Sequence, residues 1–224
     1  MTRGHGWHST CCQLRVKDKP PVRHFSMLRE FRAADFITLL NGVAGMGASL
    51  AFVRYAAGEG VGSFWLGAAL LPVALLMDVL DGRVARWRGE SSEIGRELDS
   101  LADIVSFGVA PAMMGFAAGL RGAWDLACLT IFVACGISRL ARYNVTAASL
   151  SDDSGKVRYF EGMPIPSSLL LAILFVALFG AGRAHAALPL GSVSLGSEVL
   201  HPIALLYVLH GAAMVSKTLR IPKP

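Results

Sequence analysis

The sequence predicts an all-α integral membrane protein: six transmembrane helices in one bundle, with both termini in the cytoplasm. Three observations carry that prediction. The chain is 54% hydrophobic and only 17% charged, with a mean hydropathy of +0.52, too apolar for an ordinary soluble domain. Six apolar runs, at about 35–54, 63–82, 99–119, 123–143, 165–182 and 198–216, each approach the ~20 residues that cross a bilayer. Eighteen of the 21 Lys and Arg residues fall in alternate connections, on one side of these runs. Basic residues concentrate on the cytoplasmic side of membrane proteins, so this bias with an even span count places both termini there. Core helices of a soluble bundle can be equally apolar, but six in a row with alternating charge argue against that.

Taken in order, residues 1–26 are polar and basic, with Lys17, Lys19 and Arg23 and no helical periodicity. They are expected to form a flexible tail, leaving 27–224 as the transmembrane domain. The tail has no apolar core of the kind a signal peptide needs. His5, His8, Cys11 and Cys12 have nothing around them to fold a metal site. The first run carries Gly42, Ala44, Gly45, Gly47 and Ala48, a small-residue patch that lets membrane helices pack closely or leaves room for a ligand. The second and third runs are expected to carry aspartates at the ends that meet a loop over 83–98.

The fourth run ends in Ser138-Arg139-Leu140-Ala141-Arg142-Tyr143-Asn144. Cys128 and Cys135, seven apart on one helical face, read as small core residues. The fifth is opened by Met163-Pro164-Ile165-Pro166, proline being tolerated where the first helical N–H has no partner. Residues 183–197 read as a simple outer connection. His201 and His210 on the last run are nine apart, point in different directions, and read as core or interface histidines. Trp65, Trp87 and Trp124 lie near run ends, where indoles favour the membrane interface. The net charge of +5 does not indicate nucleic acid: the basic residues sit at the ends of apolar runs, without a nucleic-acid motif or interleaved aromatics.

The chemistry is concentrated in residues 78–103, DVLDGRVARWRGESSEIGRELDSLAD. Asp78 and Asp81 are three apart, Asp99 and Asp103 four apart, so each pair shares a helical face. Two such helices facing each other would bring four carboxylates together at the edge of an apolar bundle. Buried like charges are costly unless neutralised, and a hard divalent cation on oxygen ligands, Mg2+ or Mn2+, is the natural neutraliser. Ionisable groups at membrane depth are functional candidates by default. Gly82 opens the backbone to close approach, Ala85 keeps that face small, Arg86 can fork onto a phosphate, and Gly95 opens the third helix beside a bound nucleotide. These residue types suit phosphoryl-type transfer, with one or two cations.

The spacing D-x-x-D-G-x-x-A-R-x8-G-x3-D-x3-D, met here by Asp78, Asp81, Gly82, Ala85, Arg86, Gly95, Asp99 and Asp103, resembles the signature of the CDP-alcohol phosphotransferase family. The resemblance implies that Asp78, Asp81 and Asp99 are metal ligands. It implies that Asp103 is the base that takes the acceptor proton and also touches a second metal. Asp78, Gly82, Ala85, Arg86 and Gly95 would line the CDP site. An alcohol would attack the lipid-bearing phosphate, releasing CMP. Membrane lipids and a second copy of the chain, as a homodimer, are the implied partners.

Further stretches resemble the serine-using branch of this family: Leu98-Asp99-Ser100-Leu101-Ala102-Asp103-Ile104-Val105-Ser106-Phe107-Gly108-Val109-Ala110-Pro111, Cys135 to Asn144 with Phe160 to Pro166, Met214-Val215-Ser216-Lys217, and Thr38-Leu39-Leu40-Asn41. Ala34-Asp35 departs from the Pro-Asn frequent in relatives, a difference expected to leave the catalytic set untouched. The resemblance implies CDP-diacylglycerol as donor, L-serine as acceptor, and a cell (inner) membrane location with the site facing the cytoplasm. Arg139 and Arg142, three apart on one face, suit the serine carboxylate, with Asn144 or Ser106 adding hydrogen bonds. The same arginines also satisfy the cytoplasmic charge bias or contact lipid headgroups. Other acceptors (glycerol 3-phosphate, inositol phosphate, choline) would use the same chemistry. A cation transporter is the rival of a different class, but its acids would be staggered across the bilayer rather than gathered at one edge.

Overall fold

The computed structural model describes residues 32–88, 93–149, 159–196, 198–216 and 220–222. The proposed tail, with its histidines and Cys11 and Cys12, lies outside them. Helices dominate: α1 Ala33–Ala56, α2 Gly62–Arg88, α3 Glu93–Asp103, α4 Ala110–Ala118, α5 Ala123–Ser149, α6 Leu169–Gly180 and α7 Leu205–Val215. Short 3-10 turns at Ile165–Ser168 and Pro202–Ala204 lead into α6 and α7. Four helices, Ala34–Ala56, Gly62–Arg88, Ile94–Ala118 and Ala123–Thr146, are long and apolar enough to cross a membrane, while Ile165–Gly180 and Pro202–Val215 are shorter apolar helices. This is the composition of a membrane protein.

Two sequence expectations are corrected. The acidic motif does not flank a loop over 83–98: α2 continues to Arg88 and α3 starts at Glu93. The segment after Gly82 is rich in arginine and alanine, which favour helix, and has no proline or glycine before Gly89, so the helix runs on past the apolar stretch, where Trp87 is 84% exposed. The last run does not begin as helix at 198. Strand β1, Val193–Leu195, pairs antiparallel with β2, Glu198–Leu200, around a turn at Gly196 with φ +70. The left-handed glycine and the flanking valines favour a hairpin, so the described part of this connection is structured and the helical turn starts only at Pro202.

The third span is central, 67% buried over its apolar window against 22% for Gly62–Arg88. It passes from α3 to α4 through one π-helical turn, Ile104–Val109, closed by a bond from the Ala110 N–H to the Val105 carbonyl. Such turns insert one residue and rotate the rest of the helix about its axis, often beside functional groups. Just beyond it, the Tyr207 hydroxyl of α7 donates to the Pro111 carbonyl at 2.9 Å. A Cβ on Gly115 would lie 2.7 Å from that hydroxyl, so the glycine makes room for the cross-link. Cys128 is buried and unpaired, part of the apolar core with Phe107, Phe132 and Phe175.

Midway along its length, α1 packs onto this central span through Gly45. A Cβ there would lie 2.5 Å from the Ser106 Cα, a backbone contact no rotamer can relieve. Gly45→Ala should therefore destabilise the protein by about 1–3 kcal/mol through overpacking. Thermal unfolding in detergent checks this, and an unchanged melting temperature would show that α1 stands further off.

The end of the bundle at Ala56 is closed by polar contacts. Arg121 donates to the Ala56 carbonyl at 3.3 Å. The Tyr55 hydroxyl meets His185 Nε2 at 3.0 Å; burial and the nearby Arg121 guanidinium push the His185 imidazole below its ordinary pKa. The fully buried Asp125 carboxylate accepts from His201 Nδ1 at 2.6 Å and from the His201 backbone N–H at 2.7 Å. His201 is thus part of a specific hydrogen-bonded contact, which spacing alone did not indicate. His210 meets the Ser167 hydroxyl at 3.1 Å.

Candidate active site

The acidic residues gather where the C-terminal part of α2, the second half of α3 and the first turns of α1 meet. Asp78, Asp99 and Asp103 each bring one carboxylate oxygen to within 4.8 Å of the other two. Asp103 is buried, 8% exposed. Carboxylates this close repel strongly in a low-dielectric setting, and an all-oxygen donor set of this kind fits a hard divalent cation. Asp81 lies outside that trio. Three helical residues after Asp78, it is turned roughly 60° from it around the α2 axis. It is 5% exposed, and its Oδ2 is buried without a hydrogen-bond partner. A buried carboxylate oxygen left unpaired is expensive, which again fits a cation or ligand donor at this place.

A recess of about 190 Å3 opens beside the acids, lined by Ala34, Asp35, Thr38, Asp78, Asp81, Gly82, Ala85, Gly95, Arg96 and Asp99. Four of the five residues expected to line a nucleotide site, Asp78, Gly82, Ala85 and Gly95, are therefore on its wall. Arg86 is not, but it is near: a Cβ on Gly82 would stand 4.0 Å from Arg86 Nη2. Arg96 is on the wall and was missed. So was Asp35, whose carboxylate accepts the Arg32 N–H at 2.8 Å and completes the first turn of α1. The Ala34-Asp35 departure thus lies on the recess wall. Thr38 and Asn41 were quoted only as part of a resemblance. Their signal was present: two polar residues three apart within an apolar run share one helical face.

The expected acceptor residues divide. Arg139 is 8% exposed, lies over the Tyr143 ring at 5.6 Å and is within electrostatic reach of Asp103. Its Nε has no hydrogen-bond partner. Arg142 donates through Nη1 to the Val215 carbonyl at 3.1 Å, which caps the C-terminus of α7, while its Nη2 is buried and unpartnered. Asn144 bonds to Ser100 and Glu97 of α3, and the Ser106 hydroxyl donates to the Asn41 carbonyl at 2.9 Å. Asn144 and Ser106 therefore join helices in this structure, and Arg139 and Arg142 keep buried N–H groups free of protein partners.

Comparison with known proteins agrees with this geometry. A family profile described as CDP-alcohol phosphatidyltransferase matches residues 31–210. A Saccharomyces cerevisiae protein named CDP-diacylglycerol–serine O-phosphatidyltransferase is 43% identical over 205 residues, covering 90% of this chain and 74% of that protein. A Methanocaldococcus jannaschii protein of the same name is 35% identical over 160 residues, 70% of this chain and 66% of its own length. A Mycobacterium leprae protein, again of that name, is 40% identical over 120 residues, 51% of this chain and 39% of its own length. The matched region contains all four motif aspartates, the recess and the three apolar helices that build them, and on that ground the chain belongs to the CDP-alcohol phosphatidyltransferase family.

Proposed function

We propose that this protein transfers the phosphatidyl group of CDP-diacylglycerol to the hydroxyl of L-serine, giving phosphatidylserine and CMP. The observation that carries the reading is the convergence of Asp78, Asp99 and Asp103 beside a recess walled by Gly82, Ala85 and Gly95, in a chain 43% identical to a relative named for this reaction. Residues 27–224 form the catalytic domain, arranged as six spans with both termini and the acidic end in the cytoplasm of a cell (inner) membrane. The 18-to-3 division of basic residues supports that orientation. The protein works as a homodimer among membrane lipids, as the family resemblance suggests.

In this reading Asp78, Asp81, Asp99 and Asp103 hold Mg2+ or Mn2+. A cation bound there neutralises the diphosphate and stabilises the charge that develops on it. Gly82, Ala85 and Gly95 let the cytidine nucleotide lie against the backbone, and Arg86 holds a phosphate. Asp103 takes the proton of the serine hydroxyl as its oxygen bonds to the lipid-bearing phosphorus. The bond from that phosphorus to CMP breaks, and CMP leaves with the electron pair. Arg139 pairs with the serine carboxylate, supported by its burial, its unpartnered Nε and its nearness to Asp103. The free Nη2 of Arg142 is a second donor, with Asn144 and Ser106 shaping the acceptor side.

Arg139→Ala should raise KM for L-serine about 10–100-fold, the worth of a buried charge-assisted bond, while KM for CDP-diacylglycerol moves less than about threefold. Steady-state kinetics in mixed micelles reads both. An equal rise in the two constants would indicate general damage and remove Arg139 from acceptor recognition. The reaction itself is tested by CMP release with serine as sole acceptor. Transport of cations has less support: the acids gather at one end, and the polar pair at the other, Asp125 and His201, is satisfied internally.

A further inference from the structure

Asn41 lies in the middle of the apolar stretch of α1 and is fully buried. Its Nδ2 donates to Asp103 Oδ1 at 3.3 Å. The backbone at Asn41 is fixed from behind: its main-chain carbonyl accepts the Ser106 hydroxyl at 2.9 Å, and Ser106 presses on Gly45 one turn further along α1 with no space for a Cβ, while the side-chain Oδ1 of Asn41 is buried without a hydrogen-bond partner. A continuous path of contacts therefore runs from Gly45 through Ser106 and Asn41 to one oxygen of Asp103. From this geometry we infer that Asn41 is a positioning residue for the reaction: it holds Oδ1 of Asp103 and thereby presents the other carboxylate oxygen to the acceptor hydroxyl.

The physical case rests on what an amide can and cannot do. Two rotatable bonds leave an aspartate free to turn its carboxylate toward whichever cation or neighbour attracts it most. Asp78 and Asp99 bring their oxygens within 4.8 Å, so a cation shared with them would draw both Asp103 oxygens inward. An amide N–H on Oδ1 opposes that rotation. It is uncharged, does not titrate, and cannot itself take the acceptor proton, so it fixes direction without competing for the chemistry. A purely structural role, tying α1 to α3, would make a different demand: Gly45 and Ser106 already join those elements, and loss of the amide would then lower stability without selecting one kinetic constant. The inference rests on the reading that Asp103 receives the proton.

The test uses the full-length protein in mixed micelles and the variants Asn41→Ala and Asn41→Ser. Melting temperature is measured first, and Asn41→Ser, which keeps a short donor, is the variant read if Asn41→Ala does not fold. The expected result is a kcat lowered about 10–100-fold, the usual effect of removing a partner that orients an active-site ligand. KM for L-serine and for CDP-diacylglycerol should stay within about twofold, and Mn2+ affinity, followed by electron paramagnetic resonance on protein without substrate, should not weaken. An unchanged kcat overturns the inference. A raised serine KM at constant kcat also overturns it, by making Asn41 an acceptor contact. Weakened Mn2+ binding that accounts for the lost rate overturns it too, by placing Asn41 in support of the cation. Wild-type protein that releases no CMP with serine defeats the functional reading and this inference together, whereas normal wild-type activity with a normal variant defeats this inference alone.

Discussion

Asp103→Asn should lower kcat for serine-dependent CMP release by about 10²–10⁴-fold, the range contributed by a positioned general base, while CDP-diacylglycerol still binds. The substitution keeps the shape of the side chain and its place opposite Asn41, 3.3 Å from Nδ2. In the proposed mechanism it removes the group that receives the acceptor proton. It also removes one of three converging carboxylates, so cation affinity falls to some degree and saturating Mg2+ or Mn2+ belongs in the assay. Binding of the CDP-lipid persists because the recess walls at Asp78, Gly82, Ala85 and Gly95 are untouched. The measurement pairs single-turnover kinetics with equilibrium binding of a CDP-lipid. Turnover near the wild-type rate at saturating cation would take the base assignment away from Asp103.

Removal of divalent cations should be equally severe. Chelation with EDTA is expected to reduce CMP release about 10³-fold or more, since it removes the charge stabilisation on which a phosphoryl-type displacement depends, and added Mg2+ or Mn2+ should restore it. Without a cation, the Asp78, Asp99 and Asp103 oxygens, within 4.8 Å of one another, face the donor diphosphate with like charge. Donor binding should therefore weaken together with kcat. Ca2+ is a useful contrast: it accepts the same oxygens at longer distances and in looser geometry, so it should bind yet restore turnover poorly. Full activity in chelator, in protein shown by elemental analysis to be metal-free, would remove the cation from the mechanism and leave the acidic cluster unexplained.

Much of this site was legible in the sequence because helical spacing is a geometric statement. Residues three and four apart share a face, and the motif supplied two such pairs on consecutive apolar segments. Asp78, Asp99 and Asp103 converge as that spacing requires, and Gly82, Ala85 and Gly95 line one recess. Asp81 is the informative exception: spacing puts it on the same side of α2, but the offset around the axis leaves it beside the trio rather than in it. The approximate extents of the first four spans were legible for the same reason, as continuous apolar length.

What was not legible depended on contacts between segments far apart in sequence. Asn41 lies 62 residues from Asp103, and Asp125 76 residues from His201; no local pattern signals either meeting. The assignment of acceptor residues shows the same limit. Arg139 and Arg142 share a helical face by spacing, yet Arg142 places one nitrogen on the end of α7 while Arg139 lies over the Tyr143 ring, within electrostatic reach of Asp103. Of the β1–β2 hairpin, the first strand was read as part of an outer connection and only the second as the start of the last apolar run, because a short apolar stretch with valine and leucine does not by itself distinguish strand from helix; the turn at Gly196 decided it.

The central claim is tested most directly by CMP release from CDP-diacylglycerol in mixed micelles containing Mg2+ or Mn2+. L-serine, glycerol 3-phosphate, inositol phosphate and choline are offered separately to the purified protein. The account predicts release with serine alone, together with formation of phosphatidylserine. Release with a different acceptor and none with serine would contradict it, keeping the family and its acidic site but discarding the serine carboxylate as the partner of Arg139.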